Sequence, residues 1–416
     1  MSTPTTRAPT TRASSPNFTP MTRVISLIAL SRVALFAACA LAPASATTAL
    51  ARRVELTSAI DAVRRSVEGA HLKTVEHKSP YDGSAFHGHP MVCAIVARVA
   101  GGDPGSLALA FAWIAVDGIA LAFLCALASK VTTRTNDVAR VCAMYVVNPI
   151  NAAALVARSN ACVGRAFAYG GAFAASQGNA ALAGCAFAMA VEMNPHVIVM
   201  FPALALMCSR EDKRRWATLA AAFAATHGAA FVAMGDDFSK WWSSAVMFAI
   251  RSEDQSPNLG LHWYLFTTMF DQFREFYVVA ANAAPLALAV PLAYRFAHRP
   301  LTALVLSLMA ATMYAPYPTL SDVVTYLSLL SVITVDEGGN PLVHMKCGVL
   351  IAGGFLYVAL LSPITWYMWI HTRVANANFY YAITLVFALT QLVLMGQIVT
   401  SVAAFDRARK KMTKTK

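Results

Sequence analysis

The chain has 416 residues, 57% of them hydrophobic and only 13% charged, with a formal net charge of +12. A soluble domain carries about a quarter charged residues, so this composition excludes an ordinary water-soluble globule. The basic residues are dispersed among short polar loops and the C-terminal tail, which reads as membrane topology and argues against nucleic-acid binding.

Residues 1–22 are rich in Thr, Ser, Pro and Arg and lack acids. The composition resembles an organelle transit peptide. The preferred reading is a disordered cytosolic tail, held inside by Arg7, Arg12 and Arg23 ahead of a first span.

Apolar runs then recur across 23–400, and backbone in lipid must satisfy its own hydrogen bonds, so these runs are expected to be helices. No alternating strand pattern suggests a β-barrel. The expected fold class is all-α, a polytopic bundle of about twelve transmembrane helices. The first two are expected near Arg23–Leu41 and Ser106–Ala128, and Val92–Val99 between them suits a half-inserted helix. The third, near Val141–Ala157, should kink at Asn148-Pro149. Two short helices, Ala166–Ser176 and Ala180–Glu192, are joined by a turn at Gln177. Then come His196–Cys208, Ala217–Met234, Glu275–Leu292, Leu301–Ala315, Leu320–Val335, Cys347–Ile370 and Phe379–Thr400. Several are shorter than a full crossing and must tilt, thin the bilayer or lie inside the protein.

A cytosolic N-terminus places the basic loops 130–140, 209–216, 294–300 and 336–346 and the tail 401–416 in the cytosol, as positive charge favours. Loop 43–90 is expected in the lumen despite its Arg and Lys, because long loops translocate regardless of charge. The tail's Arg407, Arg409, Lys410, Lys411, Lys414 and Lys416 read as an orientation anchor and a contact for anionic lipid. The ending TKTK matches a dilysine retrieval signal poorly.

The eight cysteines include no CxxC pair and fall mostly in apolar runs, so they read as packing residues. Charges inside spans are expensive, so Arg32, Asp117, Glu192 and Asp322 are expected to pair or to face a cavity.

Four segments interrupt the apolar background: SPYDGSAFHGHP (Ser79–Pro90), SPNLGLHWY (Ser256–Tyr264), YPTLSD (Tyr317–Asp322) and ANANFYYAITLVF (Ala375–Phe387). The topology puts all four at lumenal ends, on one rim suited to a lipid headgroup. These blocks, with RRVEL at Arg52, the Val67–Gly69 triplet and Asn148-Pro149, resemble the phosphatidylinositol-glycan class U (PIG-U) family, subunits of the glycosylphosphatidylinositol (GPI) transamidase. The similarity runs from about Arg52 to Leu394. The N-terminal extension and the short 130–140 loop depart from the family pattern.

The resemblance implies an endoplasmic-reticulum complex that replaces a C-terminal signal peptide with a GPI lipid. A caspase-like cysteine protease subunit does the chemistry, and this subunit helps to bind GPI. It also implies a fold similar to the membrane region of the GPI mannosyltransferases (GT-C-like). No cofactor is expected.

Asn376, Asn378, Phe379, Tyr380 and Tyr381 are the candidate GPI site: amides suit sugar hydroxyls and phosphate oxygens, and aromatics favour the interface. The same residues also suit a helix cap above an ordinary aromatic belt. Tyr81, Asp82, His87, Asn258, His262 and Asp322 are candidates for a lumenal cavity. Asp82, His87 and His89 match no zinc spacing, so a turn at Pro80, Gly83 and Pro90 is expected and no metal. A lumenal glycosyltransferase using a dolichol-linked sugar and a transporter are the alternatives. The first lacks an Asp-x-Asp pair in loop 43–90, and the second lacks an inverted repeat.

Overall fold

The computed structural model describes residues 20–414, apart from 102 and 336–338. Most of the N-terminal tail and the last two residues lie outside the described residues. The described residues form helices and connecting loops, without strands. Six helices are long and apolar enough to cross a membrane: Val24–Leu41, Leu107–Val131, Arg215–Met234, Asp271–Arg295, Gly348–His371 and Ala377–Thr413. Thr135–Val146 and Pro149–Val156 meet at 49° and make a seventh if taken as one bent span. The bend falls at Asn148-Pro149, as the proline requires. Proline donates no amide there, and the Asn148 side chain accepts from the amides of Ile150 at 3.0 Å and Asn151 at 3.4 Å.

Each expected span corresponds to a helix, but five are short. Ala161–Ser176 and Ala180–Met193 are separated by a tight turn in which Gly178 has φ +73° and Asn179 caps the amide of Leu182 at 3.1 Å. The 3-10 turn Pro195–Met200 runs on into Phe201–Cys208. Pro300–Tyr314 and Leu320–Ile333 complete the set. The last two are buried along nearly their whole length, whereas Arg215–Met234 buries only Leu219. Short helices therefore make much of the centre together with Leu107–Val131, and the other long helices are more exposed. A helix enclosed by protein need not match the roughly 30 Å hydrocarbon core, so its length is set by its turns.

Small residues let these helices approach closely. A Cβ on Gly184 would lie 2.7 Å from Ala222 Cβ, against the Arg215–Met234 helix. Six of the eight cysteines are buried as packing residues.

Four helical segments were not legible in the sequence, the short Ala44–Ala51 helix at the start of loop 43–90 among them. Val63–Thr74 lies within loop 43–90 and packs through Val63 and Ala70 into a cluster with Phe86, Cys93 and Trp113. A continuous helical run from Asp237 to Arg251 contains a π stretch at Trp242–Met247. His262–Thr268 is a two-turn helix that begins at the end of SPNLGLHWY. Ala44–Ala51 is too short to register as a span, and the other three mix polar residues into apolar patterns, so length and hydropathy do not reveal them. The final helix, Ala377–Lys414, carries straight on through the basic tail.

Candidate functional site

The helices bring the four unusual segments to one end of the bundle. A Cβ on Gly260 would sit 2.7 Å from Pro316 O and 2.8 Å from Pro318 Cδ, so SPNLGLHWY packs directly on YPTLSD. His87, from the first segment, stacks on Phe248 at 3.6 Å, and Phe248 stacks on Tyr317 at 5.2 Å. Tyr264 stacks on Tyr381 at 4.3 Å and its hydroxyl donates to Asn378 Oδ1. The backbone of Glu55, in RRVEL, accepts from the Leu320 amide at 2.9 Å.

Around the start of the last helix these contacts make an aromatic rim. Tyr380 is buried against Trp366 at 5.4 Å and Trp263 at 6.1 Å, and Trp369 stacks on Trp263 at 6.0 Å. Phe379 is 59% exposed, and both Asn376 and Asn378 are exposed. Asn376 Oδ1 accepts from the Asn378 amide at 3.0 Å, so it is a helix cap. The amide nitrogens of Asn376 and Asn378 make no hydrogen bond among the described residues. The rim therefore presents two side-chain NH₂ donors, a half-exposed ring and a fixed stack.

An apolar groove of about 560 Å³ lies between the last two long helices, lined by Val349, Tyr357, Val386, Leu389 and Val393 among others. Tyr381 and Val393 are on the same helix, about 18 Å apart at 1.5 Å per residue, so rim and groove share one axis. Gly353 and Gly354 shape the groove. A Cβ on Gly353 meets nothing within 4 Å, whereas one on Gly354 would be 2.9 Å from Thr390 Cγ2. One glycine keeps the groove open and the other lets the two helices touch. Neither is marked by composition, because glycine in an apolar run reads only as a weak helix former.

The other sequence candidates divide. Tyr81 is buried and its hydroxyl donates to Gly88 O at 2.9 Å, which holds the loop closed. Asn258 is buried in its own turn: Oδ1 accepts from the Gly260 amide at 2.6 Å. His262 is buried with Nδ1 3.0 Å from Ser252 Oγ, and burial pushes its pKa down to about 4. Asp82, His87 and His89 go to three different partners. Asp82 pairs with Lys240 at 2.6 Å, and that hydrogen bond lowers its carboxyl pKa. His87 Nδ1 lies 2.6 Å from Ser244 O, and burial lowers its pKa. His89 Nε2 lies 2.9 Å from Glu192. Asp322 closes a capping box with Thr319, accepting from its amide at 2.8 Å and its hydroxyl at 3.0 Å.

Asp322 also lines, with Asp61, His89, Asn160, Arg165 and Tyr317, a cavity of about 90 Å³. Ligand pockets are typically roughly 300–1,000 Å³, so this space suits water rather than a sugar.

The intramembrane charges pair. Asp117 is fully buried and accepts from Arg32, from Arg165 at 3.3 Å and from the Tyr145 hydroxyl at 2.5 Å. Arg165 Nη2 also donates to Ser321 Oγ at 2.7 Å and Ser321 O at 3.2 Å. Glu192 lies 2.9 Å from His89 and 2.8 Å from His227. Sequence reasoning singled out Arg32, Asp117 and Glu192 but missed Arg165, Tyr145 and His227. A buried carboxylate between two guanidiniums is tolerated in an apolar bundle because each charge is both paired and hydrogen-bonded.

The architecture defines a multi-pass α-helical membrane protein with an aromatic, amide-bearing rim over an apolar groove. Residues 27–387 match the family described as GPI transamidase subunit PIG-U, and the chain belongs to that family. It is 26% identical over 417 residues to the human GPI-anchor transamidase component PIGU, covering 91% of this chain and 92% of that one. The mouse protein of the same name is 26% identical over 415 residues, with the same coverage. The Schizosaccharomyces pombe GPI transamidase component GAB1 homolog is 24% identical over 351 residues, covering 82% of this chain and 84% of that one.

Proposed function

We propose that this chain is the non-catalytic subunit that recognises and positions the GPI lipid in the GPI transamidase. The observation that carries the reading is the continuity of rim and groove on the Ala377–Lys414 helix. A GPI lipid is an amphiphile. Its acyl chain lies in the groove, and its phosphate and first sugar meet the Asn376 and Asn378 amides beside Tyr264 and Tyr381.

The bond exchange belongs to a caspase-like cysteine protease partner. Burial of six of the eight cysteines supports this assignment, because an apolar setting disfavours the reactive thiolate. The complex sits in the endoplasmic-reticulum membrane with the rim lumenal and both termini cytosolic. The short helices bring the crossings to about twelve in a GT-C-like bundle. The segment before Arg23 is a cytosolic tail, 43–90 a lumenal cap and 401–416 a cytosolic end.

The test is Asn376→Ala with Asn378→Ala in the assembled complex. Two lost hydrogen bonds of about 0.5–1.5 kcal/mol each should slow GPI attachment roughly five- to 150-fold. Unchanged attachment, with normal assembly, would refute the reading.

A further inference from the structure

The rim accounts for the phosphate and the first sugar of a GPI lipid but not for the rest of its glycan. A second hollow, separate from the groove, lies at the same end of the bundle. Its volume is about 780 Å³, within the usual range for a small-molecule site. Its walls come from the folded 43–90 region, the Asp237–Arg251 run and the adjoining Glu253 and Asp254.

The chemistry of the wall is distinctive. Trp242 lines the hollow and is 46% exposed, while its neighbour Trp241 is buried. The π stretch starts at Trp242, and such turns recur at functional sites. Arg65 is held on one side by Ala85 O at 3.3 Å and by Asp254 at 3.3 Å. Arg251 and Glu253 also line the hollow and are exposed. His87 completes the wall with its ring fixed by the Phe248 stack and by Ser244 O.

An aromatic face flanked by planar guanidinium and carboxylate groups fits one ligand chemistry well. A pyranose offers an apolar C–H face to stack on indole and vicinal hydroxyls that donate and accept at once. Arg65 and Arg251 share this wall with Glu253 and Asp254, and both signs together suit a largely neutral polyol better than a polyanion. The hollow is also joined to the rim by a short rigid path. Ser252 O accepts from Arg274 Nη2 at 3.1 Å, Ser252 Oγ lies 3.0 Å from His262 Nδ1, and His262 opens the helix that carries Tyr264 to Asn378.

From this placement we infer that the hollow between Arg65, His87, Trp242 and Arg251 binds the glycan of the GPI lipid, taking a hexose distal to the rim. The inference rests on the proposed function, since it presumes that the lipid end lies at the rim. Sugar binding here orients the far end of the glycan while the acyl chain is fixed below.

The experiment uses the assembled complex and two probes: whole GPI, and GPI glycan freed of its lipid by a phosphatidylinositol-specific phospholipase. Binding of each is measured for the wild type, Trp242→Ala, Arg251→Gln and Gly353→Phe. Trp242→Ala and Arg251→Gln change half-exposed or exposed groups, and assembly is checked by co-purification. The lipid-free glycan should bind the wild type and weaken roughly tenfold in each of these two variants, equivalent to about 1.4 kcal/mol. Gly353→Phe should weaken whole GPI and leave the lipid-free glycan unaffected. Glycan binding undiminished in Trp242→Ala overturns the inference, because the sugar is then held elsewhere. So does whole-lipid binding with no measurable glycan binding, an outcome that leaves only the groove standing, because the freed glycan keeps the inositol phosphate that the rim is proposed to hold. Failure of both probes to bind the wild type overturns the proposed function and this inference together.

Discussion

Filling the groove at Gly353 isolates one part of the proposed mechanism. The position is open: a Cβ there meets nothing within 4 Å, so Gly353→Phe adds a ring without a backbone clash. The ring occupies part of a groove of about 560 Å³ and displaces a stretch of acyl chain. In a bilayer the displaced chain returns to lipid that is as apolar as the groove, so the transfer term is near zero. What is lost is close packing. About ten carbon–carbon contacts at roughly 0.1–0.2 kcal/mol each sum to about 1–2 kcal/mol. That corresponds to roughly five- to thirtyfold weaker GPI retention. The assay is native mass spectrometry of the purified complex, comparing bound GPI in the wild type, Gly353→Ala and Gly353→Phe. Gly353→Ala should behave as the wild type. Equal GPI occupancy in Gly353→Phe would refute the groove as the acyl-chain site.

Three further outcomes follow from the same geometry. Asp117→Ala leaves Arg32 and Arg165 facing each other without their carboxylate, and breaking such a buried pair costs about 3–5 kcal/mol, so the variant should fail to accumulate or to co-purify with partners. Normal melting and assembly would show that the charges are solvated. Gly184→Leu drives a side chain into the Arg215–Met234 helix, and overpacking of about 1–3 kcal/mol should lower the melting temperature of the complex. An unchanged melting curve would mean that the two helices are not held together.

The His262 pKa, pushed down to about 4 by burial, has a pH consequence. The unfolded side chain titrates near 6.5, so between about 6.5 and 4 the unfolded state binds more protons and stability falls as pH falls. The full effect is bounded at about 3 kcal/mol, and His262→Gln should flatten the loss of melting temperature between pH 7 and pH 5. Equal slopes for variant and wild type would count against it.

Much of the bundle was legible because lipid leaves the chain few options. An apolar run with no water to bond its backbone must be helical, so each expected span corresponds to a helix. The Asn148-Pro149 bend and the Gln177 turn were legible for a similar reason, since a missing amide and a glycine at positive φ act locally. The candidate site was only partly legible. Asn378 stood out as an amide in an apolar setting, but Tyr264, its partner, is 114 residues away in the chain. Asn258 and Tyr81 looked equally conspicuous and turned out to hold their own loops.

By itself, then, the sequence determined the class of solvent, the helical content and the family, because composition and local backbone chemistry carry them. The tertiary structure alone decided which helices are enclosed, that Arg165 shares Asp117 with Arg32, and that Gly353 opens a groove where Gly354 closes a contact. The physical reason is distance along the chain. A cavity, an ion pair or a stack depends on side chains that only packing brings together, and no local pattern records which surfaces will meet.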